Sequence, residues 1–141
     1  MDAKTHSDSG ETCLSKLLRN MTPSLDPATH VFATLPATAN LPPLSEVRML
    51  FREAEGVTVI VGLEYATAHD MDYSFPCKMI TLNVNSSLEA VGFMAAIASR
   101  LAARGMGVNP VSGFYHDHLF VPLGREAEAM EVLTSLASET A

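Results

Sequence analysis

Residues 78–122, KMITLNVNSSLEAVGFMAAIASRLAARGMGVNPVSGFYHDHLFVP, carry the pattern that decides the fold. Met79–Val84 is apolar and bounded by polar residues, as in a strand, and residues 88–101 place apolar side chains three and four apart, as in a helix. Two short apolar segments, Val108–Tyr115 and Leu119–Val121, then predict a hairpin. The order strand, helix, strand, strand indicates a mixed α/β domain.

The predicted long helix has recognisable signals at both ends. Ser86 or Ser87 is the expected N-cap, with Glu89 placed to complete a capping box, and Gly105 is expected to end the helix in a left-handed conformation. The side chains of one apolar stripe should lie on a sheet. They are Leu88, Val91, Met94, Ile97, Ala98 and Leu101.

The rest of the chain repeats a similar arrangement. We predict helices over Cys13–Asn20, Glu64–Met71 and Arg125–Ala137, strands over His30–Leu35, Val47–Glu53 and Val57–Val61, a hairpin turn at Glu55–Gly56, and irregular structure over Met21–Pro27 and Met71–Cys77. The order is αβββα followed by βαββα. This order predicts an α+β sandwich of antiparallel strands with helices on one face, which leaves the other face or an edge strand for a partner.

Composition excludes several classes of function. The 141 residues suffice for one domain or two very small ones, and the net charge of −7 argues against nucleic-acid binding. No apolar run is long enough to span a bilayer, and the N-terminus lacks the apolar region of a secretory signal. Cys13 and Cys77 have no metal-binding spacing, so we expect free thiols and a cytoplasmic location. We also expect no cofactor.

Polar residues cluster between the strand ending at Val84 and the following helix. Asn83, Asn85, Ser86 and Ser87 fall where exposed backbone N–H groups suit a carboxylate or another anion, although ordinary helix capping explains the same residues. Glu89 and the pair Glu53 and Glu55 are candidates for holding a cationic group, and the alternative for each is a solvated surface position.

The triplet His116-Asp117-His118 has three interpretations. Histidines two residues apart on a strand point the same way and, with Asp117, resemble part of a metal site, but no further ligand is nearby in the sequence. The other two interpretations are a polar hairpin tip and a contact to a ligand. We expect that the protein does not require a metal. An enzyme using these three residues as acid–base groups is the alternative function.

Three segments give the chain a family resemblance. LFREAEGVTVIVGLE (50–64), TLNVNSSLEAVG (81–92) and GFYHDHLFVP (113–122) resemble tandem ACT-domain proteins, a group that includes uncharacterised bacterial proteins and the cytosolic arginine sensors of animals. ACT domains are ferredoxin-like βαββαβ modules that bind amino acids at domain interfaces. The resemblance implies a first ACT-like unit over 12–76 and a second over 77–141. Residues 1–11 are polar, and we expect them to form a mobile tail.

The resemblance also implies a site and a role. A pocket at an ACT–ACT interface would use Asn85, Ser86 and Ser87 of the strand-to-helix turn together with Gly113, Phe114 and Asp117, with Asp117 accepting from a cationic ligand group. We add Glu89 to this predicted site as a candidate for holding a cationic group. The expected function is a non-enzymatic regulatory sensor of an amino acid or a similar small metabolite. Since two units are present rather than the sensors' four, a homodimer acting in trans on a protein target is expected; a structural dimerisation module is a further alternative.

Overall fold

Two long strands, β1 (Thr22–Leu35) and β4 (Asp72–Asn83), lie side by side in the computed structural model, which describes residues 10–140. The other strands are β2 (Val47–Arg52), β3 (Val57–Gly62), β5 (Asn109–Ser112) and β6 (Asp117–Pro122), and the helices are α1 (Leu14–Asn20), α2 (Leu63–Ala68), α3 (Phe93–Ala102) and α4 (Glu126–Glu139). A short 3-10 turn covers Leu44–Glu46. All strands pair antiparallel in one sheet of order β2-β3-β1-β4-β6-β5.

The helices cover one face of this sheet, as the sequence predicts. Ile97 and Leu101 of α3 pack with Ile80 of β4, and Ala66 of α2 packs with Val31 of β1. Because neighbouring strand residues point to opposite faces, the residues that alternate with these side chains form the other, helix-free face. That face has its own buried cluster of Ile60, Cys77, Met79 and Phe120. The predicted α+β architecture is confirmed.

The start of the chain packs against its second half. Leu17 and Leu18 of α1 belong to the same buried cluster as the apolar side chains of α3 and α4. Residues 22–25 of β1 pair with β4, while the pairing of β1 with β3 begins only at His30. The division into units 12–76 and 77–141 stays a prediction. The predicted tail 1–11 lies outside the described residues except for Gly10 and Glu11.

The prediction of irregular structure over Met21–Pro27 is wrong, because β1 begins at Thr22. Pro23 lies where β1 has β4 on one side and no β3 pairing on the other, so its missing N–H need not interrupt a ladder. Pro27 lies within a register shift between Leu25 and Thr29, and bulges accept proline for the same reason.

The irregular segment expected before Cys77 is also wrong, since β4 begins at Asp72. In the pairing with β1, His30 lies opposite Cys77 and Phe32 lies opposite Ser74. Two steps along β1 therefore match three along β4, so β4 carries one extra residue. Phe75, at φ 60°, and Pro76 occupy this bulge. The bulge therefore absorbs the proline that made the segment look irregular.

Helix α3 starts at Phe93, later than the apolar stripe indicated. Gly92, at φ 90°, precedes it in a left-handed conformation, and Leu88 and Val91 are 61% and 83% exposed. The Ser87 hydroxyl instead accepts a hydrogen bond from the Glu89 N–H at 3.0 Å. This local turn keeps the serines from capping the helix, a competition typical of serine side chains. The expected left-handed Gly105 is confirmed, at φ 67°.

Candidate functional site

A buried carboxylate joins the turn after β4 to the β5–β6 hairpin. Asp117 is 8% exposed, its Oδ2 accepts a hydrogen bond from the Ser86 hydroxyl at 2.9 Å, and its Oδ1 accepts one from the Ser112 hydroxyl at 2.7 Å. Asp117 is the first residue of β6, so the expected hairpin tip at His116-Asp117-His118 is wrong. Gly113–His116 form the turn, closed by the Gly113 N–H donating to the His116 carbonyl at 2.9 Å.

Ser112 is a site residue that the sequence analysis missed. It lies directly opposite Asp117 in the β5–β6 ladder. Directly opposed residues bring their side chains close together, so a serine and an aspartate flanking a four-residue turn are the signal that could have identified it. Recognising this pair requires the β5–β6 register. Our prediction placed the turn at residues 116–118, so it did not pair Ser112 with Asp117.

The chain's own N-terminal segment lies on the strand-to-helix turn. The Glu11 N–H donates to the Asn85 carbonyl at 2.7 Å, and the Ser87 N–H donates to the Glu11 carbonyl at 2.9 Å. Glu11 and Ser86 thereby form an isolated parallel bridge. A Cβ on Gly10 would lie 2.4 Å from the Ser87 nitrogen, so the segment approaches the turn as closely as only glycine permits. This contact was not predicted.

The predicted site residues are brought together only in part. Asn85, Ser86, Ser87 and Asp117 converge through the contacts above. Phe114 is 45% exposed on the β5–β6 turn, where its ring packs against that of Tyr115 with centroids 5.0 Å apart.

The remaining predicted residue in this region is Glu89. Glu89 is exposed, and its backbone N–H, rather than its carboxylate, makes the hydrogen bond to the Ser87 hydroxyl. The contacts of Glu89 therefore do not link its carboxylate to Asp117.

The three side chains of the His116-Asp117-His118 triplet engage different partners. Nδ1 of His116 lies 3.2 Å from the Val84 carbonyl oxygen, whereas Nδ1 of His118 lies 2.9 Å from the Thr81 hydroxyl on the helix-free face. Burial, followed by the neighbouring His116, lowers the pKa of His118. Residues 10–140 contain no group of three or more His, Cys, Asp or Glu side chains that could hold a metal ion.

Both cysteines are free thiols, as expected. Cys77 is fully buried, donates to the His30 carbonyl at 3.3 Å, and has its pKa raised to about 11 by burial. Cys13 is exposed, and a hydrogen bond to the Ser15 hydroxyl lowers its pKa. Within residues 10–140, no helix is both long and apolar enough to cross a membrane.

Two family models and several solved structures match the chain. One ACT-domain model matches residues 9–78 and a second matches residues 74–135. A Vibrio cholerae protein of unknown function, described as a possible transport protein, is 36% identical over 88% of this chain and 95% of its own, with a TM-score of 0.76. A search of the curated proteins found no match.

More distant structures share the fold. A protein from Agrobacterium tumefaciens is 16% identical, with a TM-score of 0.70 over 83% of this chain and 89% of its own. The regulatory subunit of aspartate kinase from Thermus thermophilus is 9% identical, with a TM-score of 0.56 over 88% of this chain and 98% of its own. The predicted tandem ACT resemblance is confirmed by the two family models in succession: the chain belongs to the ACT-domain family.

Proposed function

We propose that this protein is a regulatory sensor that binds an amino acid, or a similar small metabolite, where ACT units meet. Membership of the ACT family supports a regulatory ligand-binding role in general. The amino-acid specificity and the location of the pocket are our proposal, and they rest on one observation: the buried Asp117 carboxylate beside the strand-to-helix turn.

Asp117 is the group that would select a cationic ligand. Both of its oxygens already accept hydrogen bonds, from Ser86 and Ser112, and these hydroxyls can rotate to make room for an ammonium or guanidinium donor. A charged donor meeting a largely buried carboxylate forms a stronger hydrogen bond than a hydroxyl does. The ligand's own carboxylate would lie at the turn of Asn85–Ser87.

Binding at that turn would be linked to movement of the N-terminal segment. The Ser87 N–H, a donor suited to a ligand carboxylate, is occupied by the Glu11 carbonyl. A ligand that takes this donor must displace Glu11, so ligand-bound and segment-bound forms compete. Such competition is a two-state equilibrium that differential ligand affinity can shift, which is what a sensor requires.

Assembly and location complete the proposal. We propose a cytoplasmic homodimer, since two ACT units per chain would then give four per assembly and closed pairs are the commonest oligomers. Regulation would act in trans on another protein, through surfaces that differ between the segment-bound and ligand-bound forms.

A ligand screen followed by calorimetry tests the proposal. The common amino acids are screened for a rise in Tm, and the best is titrated into the wild type, Asp117→Asn and the control Asp72→Asn, which alters an exposed carboxylate at the start of β4. Loss of the charge at Asp117 should weaken binding about tenfold or more, and the control should bind as the wild type does. Equal affinities would remove Asp117 from the site, and no hit among the amino acids would overturn the proposed ligand class.

A further inference from the structure

A cavity lies on the helix-free face of the sheet. It has a volume of about 110 Å³ and is lined by Arg48, Met49, Met79, Val111, His118 and Phe120. Strands β2 and β5 are opposite edges of the sheet, yet each contributes to this lining. The sheet therefore curls until its two edges approach each other across the helix-free face.

The floor of the cavity is apolar and buried. Met79 and Phe120 are 7% and 2% exposed and belong to the buried cluster on this face. The ring of Phe120 meets that of Phe32 edge to face, with centroids 5.7 Å apart. A concavity beside a buried apolar cluster suits an apolar guest.

Among residues 10–140, two nitrogen-bearing side chains line the cavity, and no carboxylate does. A guanidinium nitrogen of Arg48 lies 3.2 Å from Asp26, whose other oxygen accepts the Ala28 N–H at 2.8 Å. Asp26 thus positions Arg48 while leaving it further N–H donors. Nδ1 of His118 is engaged with Thr81, which orients the imidazole and leaves Nε2 for another contact.

We propose that this cavity binds a small carboxylic acid with a short apolar chain. The carboxylate accepts hydrogen bonds from Arg48 and His118, and the chain packs on Met79, Val111 and Phe120. Ligand pockets for drug-sized molecules run to roughly 300–1,000 Å³, so a cavity of about 110 Å³ restricts the guest to a short chain.

Other ligand classes fit these residues less well. An amine would meet the positive charge of Arg48, and none of the lining residues within 10–140 carries a carboxylate to receive it. A transition metal would find one imidazole and two thioethers beside a guanidinium, which repels cations. A phosphate would have to be desolvated onto Met79, Val111 and Phe120, whereas the apolar part of a carboxylic acid gains from that contact.

The cavity is independent of the proposed amino-acid site. Asp117 and His118 are consecutive on β6, and consecutive strand residues point to opposite faces of a sheet. Asp117 meets the turn after β4, whereas His118 meets Thr81 and lines the cavity. Either site can therefore be disabled while the other is kept.

Isovalerate is the probe, with isoamyl amine and isoamyl alcohol as matched controls of the same carbon skeleton. In amide and imidazole NMR spectra of the full chain, millimolar isovalerate should shift the signals of Val111, His118 and Phe120 in a saturable way and leave those of Ser86 and Ser87 unchanged. The amine should give no saturable shifts. Equal binding of the alcohol would overturn the role of Arg48, and shifts confined to Ser86 and Ser87 would assign the acid to the other site.

Three variants locate the contacts. Arg48→Met should weaken isovalerate binding about tenfold or more, whereas Arg52→Met, an exposed arginine on the same strand outside the lining, should not. Val111→Phe fills the cavity from the β5 edge and should abolish binding with the fold intact, which decides the matter if Arg48→Met fails to fold. Equal weakening by both arginine variants, or unchanged binding in Val111→Phe, would overturn the proposal.

Discussion

The Ser86 hydroxyl donates a 2.9 Å hydrogen bond to the Asp117 carboxylate across 31 residues of sequence, and both residues are largely buried. This contact ties the turn after β4 to the first residue of β6. Ser112 completes the arrangement from β5 at 2.7 Å. Removing the hydroxyl that donates to a largely buried carboxylate costs more free energy of unfolding than the hydrogen bond's net contribution, because one carboxylate oxygen is left without that donor.

Ser86→Ala should therefore destabilise the fold. The expected loss in the free energy of unfolding is about 1–3 kcal/mol, since an oxygen of the buried Asp117 loses its donor. Urea denaturation measures the change, and Ser135→Ala, an exposed serine on α4, is the matched control with an expected change within about 0.5 kcal/mol. A loss in Ser86→Ala no larger than in the control would show that the hydrogen bond is not important for stability.

Gly10→Ala should release the N-terminal segment from the turn. The added Cβ would lie 2.4 Å from the Ser87 nitrogen and 2.6 Å from the Ser87 Cα, and backbone atoms cannot move aside as a flexible side chain can. Amide hydrogen exchange should then become faster at Ser87, whose N–H loses the Glu11 carbonyl. The control is Gly107→Ala, where a Cβ meets nothing within 4 Å. Unchanged protection of Ser87 in Gly10→Ala would contradict the close packing.

Local chemistry made part of this fold predictable. The β-branched run at Val57–Val61 and the left-handed glycine at Gly105 depend on their own backbone preferences, so the sequence indicated them directly. The prolines could not be assigned locally. Pro23 and Pro76 are tolerated because of a missing neighbour strand and a bulge, and both are properties of the partner strands rather than of the prolines.

The site residues likewise divide into features that the local sequence indicates and features that depend on distant parts of the chain. Ser86, Ser87 and Asp117 were identifiable as polar residues at element ends, but their mutual contacts depend on where α3 starts and on the β5–β6 register. The start of α3 escaped prediction because Ser87 bonds its own turn instead of capping the helix. Arg48 and His118 line one cavity only because the sheet curls. The curl depends on contacts between distant strands, so the spacing of residues in the sequence does not predict it.

The two cysteines should differ strongly in reactivity. The thiolate is the reacting form, burial raises the pKa of Cys77 to about 11, and the Ser15 hydrogen bond lowers the pKa of exposed Cys13. Iodoacetamide added to the native protein should therefore label Cys13 quickly and Cys77 only after unfolding. Mass spectrometry of peptides from native and urea-unfolded samples measures both rates. Equal labelling of the two in the native state would contradict the burial of Cys77.

The assembly should be a homodimer. Exposed edge strands β2 and β5 and the small side chains of Ala95 and Ala102 on the outer surface of α3 allow close approach of a second copy. Sedimentation at micromolar concentration should show a species of twice the 15.1 kDa chain mass. A single species at the chain mass would rule out the dimer at that concentration.

Acid should weaken the fold through His30. Its side chain is 3% exposed, and its Nδ1 has no hydrogen-bond partner among residues 10–140. Burial lowers the pKa of His30, with Arg48 and Lys78 lowering it further and Asp26 opposing them. As the pH falls below the usual histidine pKa of about 6.5, the unfolded chain takes up a proton that the folded chain does not, so the free energy of unfolding falls.

The same sign applies to His118, whose pKa burial also lowers. Urea denaturation between about pH 7.5 and pH 5.5 should thus show declining stability, and His30→Gln should flatten the slope by removing one of the two contributions. The control Ser135→Ala changes an exposed residue on α4 that does not titrate and should leave the slope unchanged. A slope identical in the wild type and His30→Gln would show that His30 does not drive the acid sensitivity, whatever its burial.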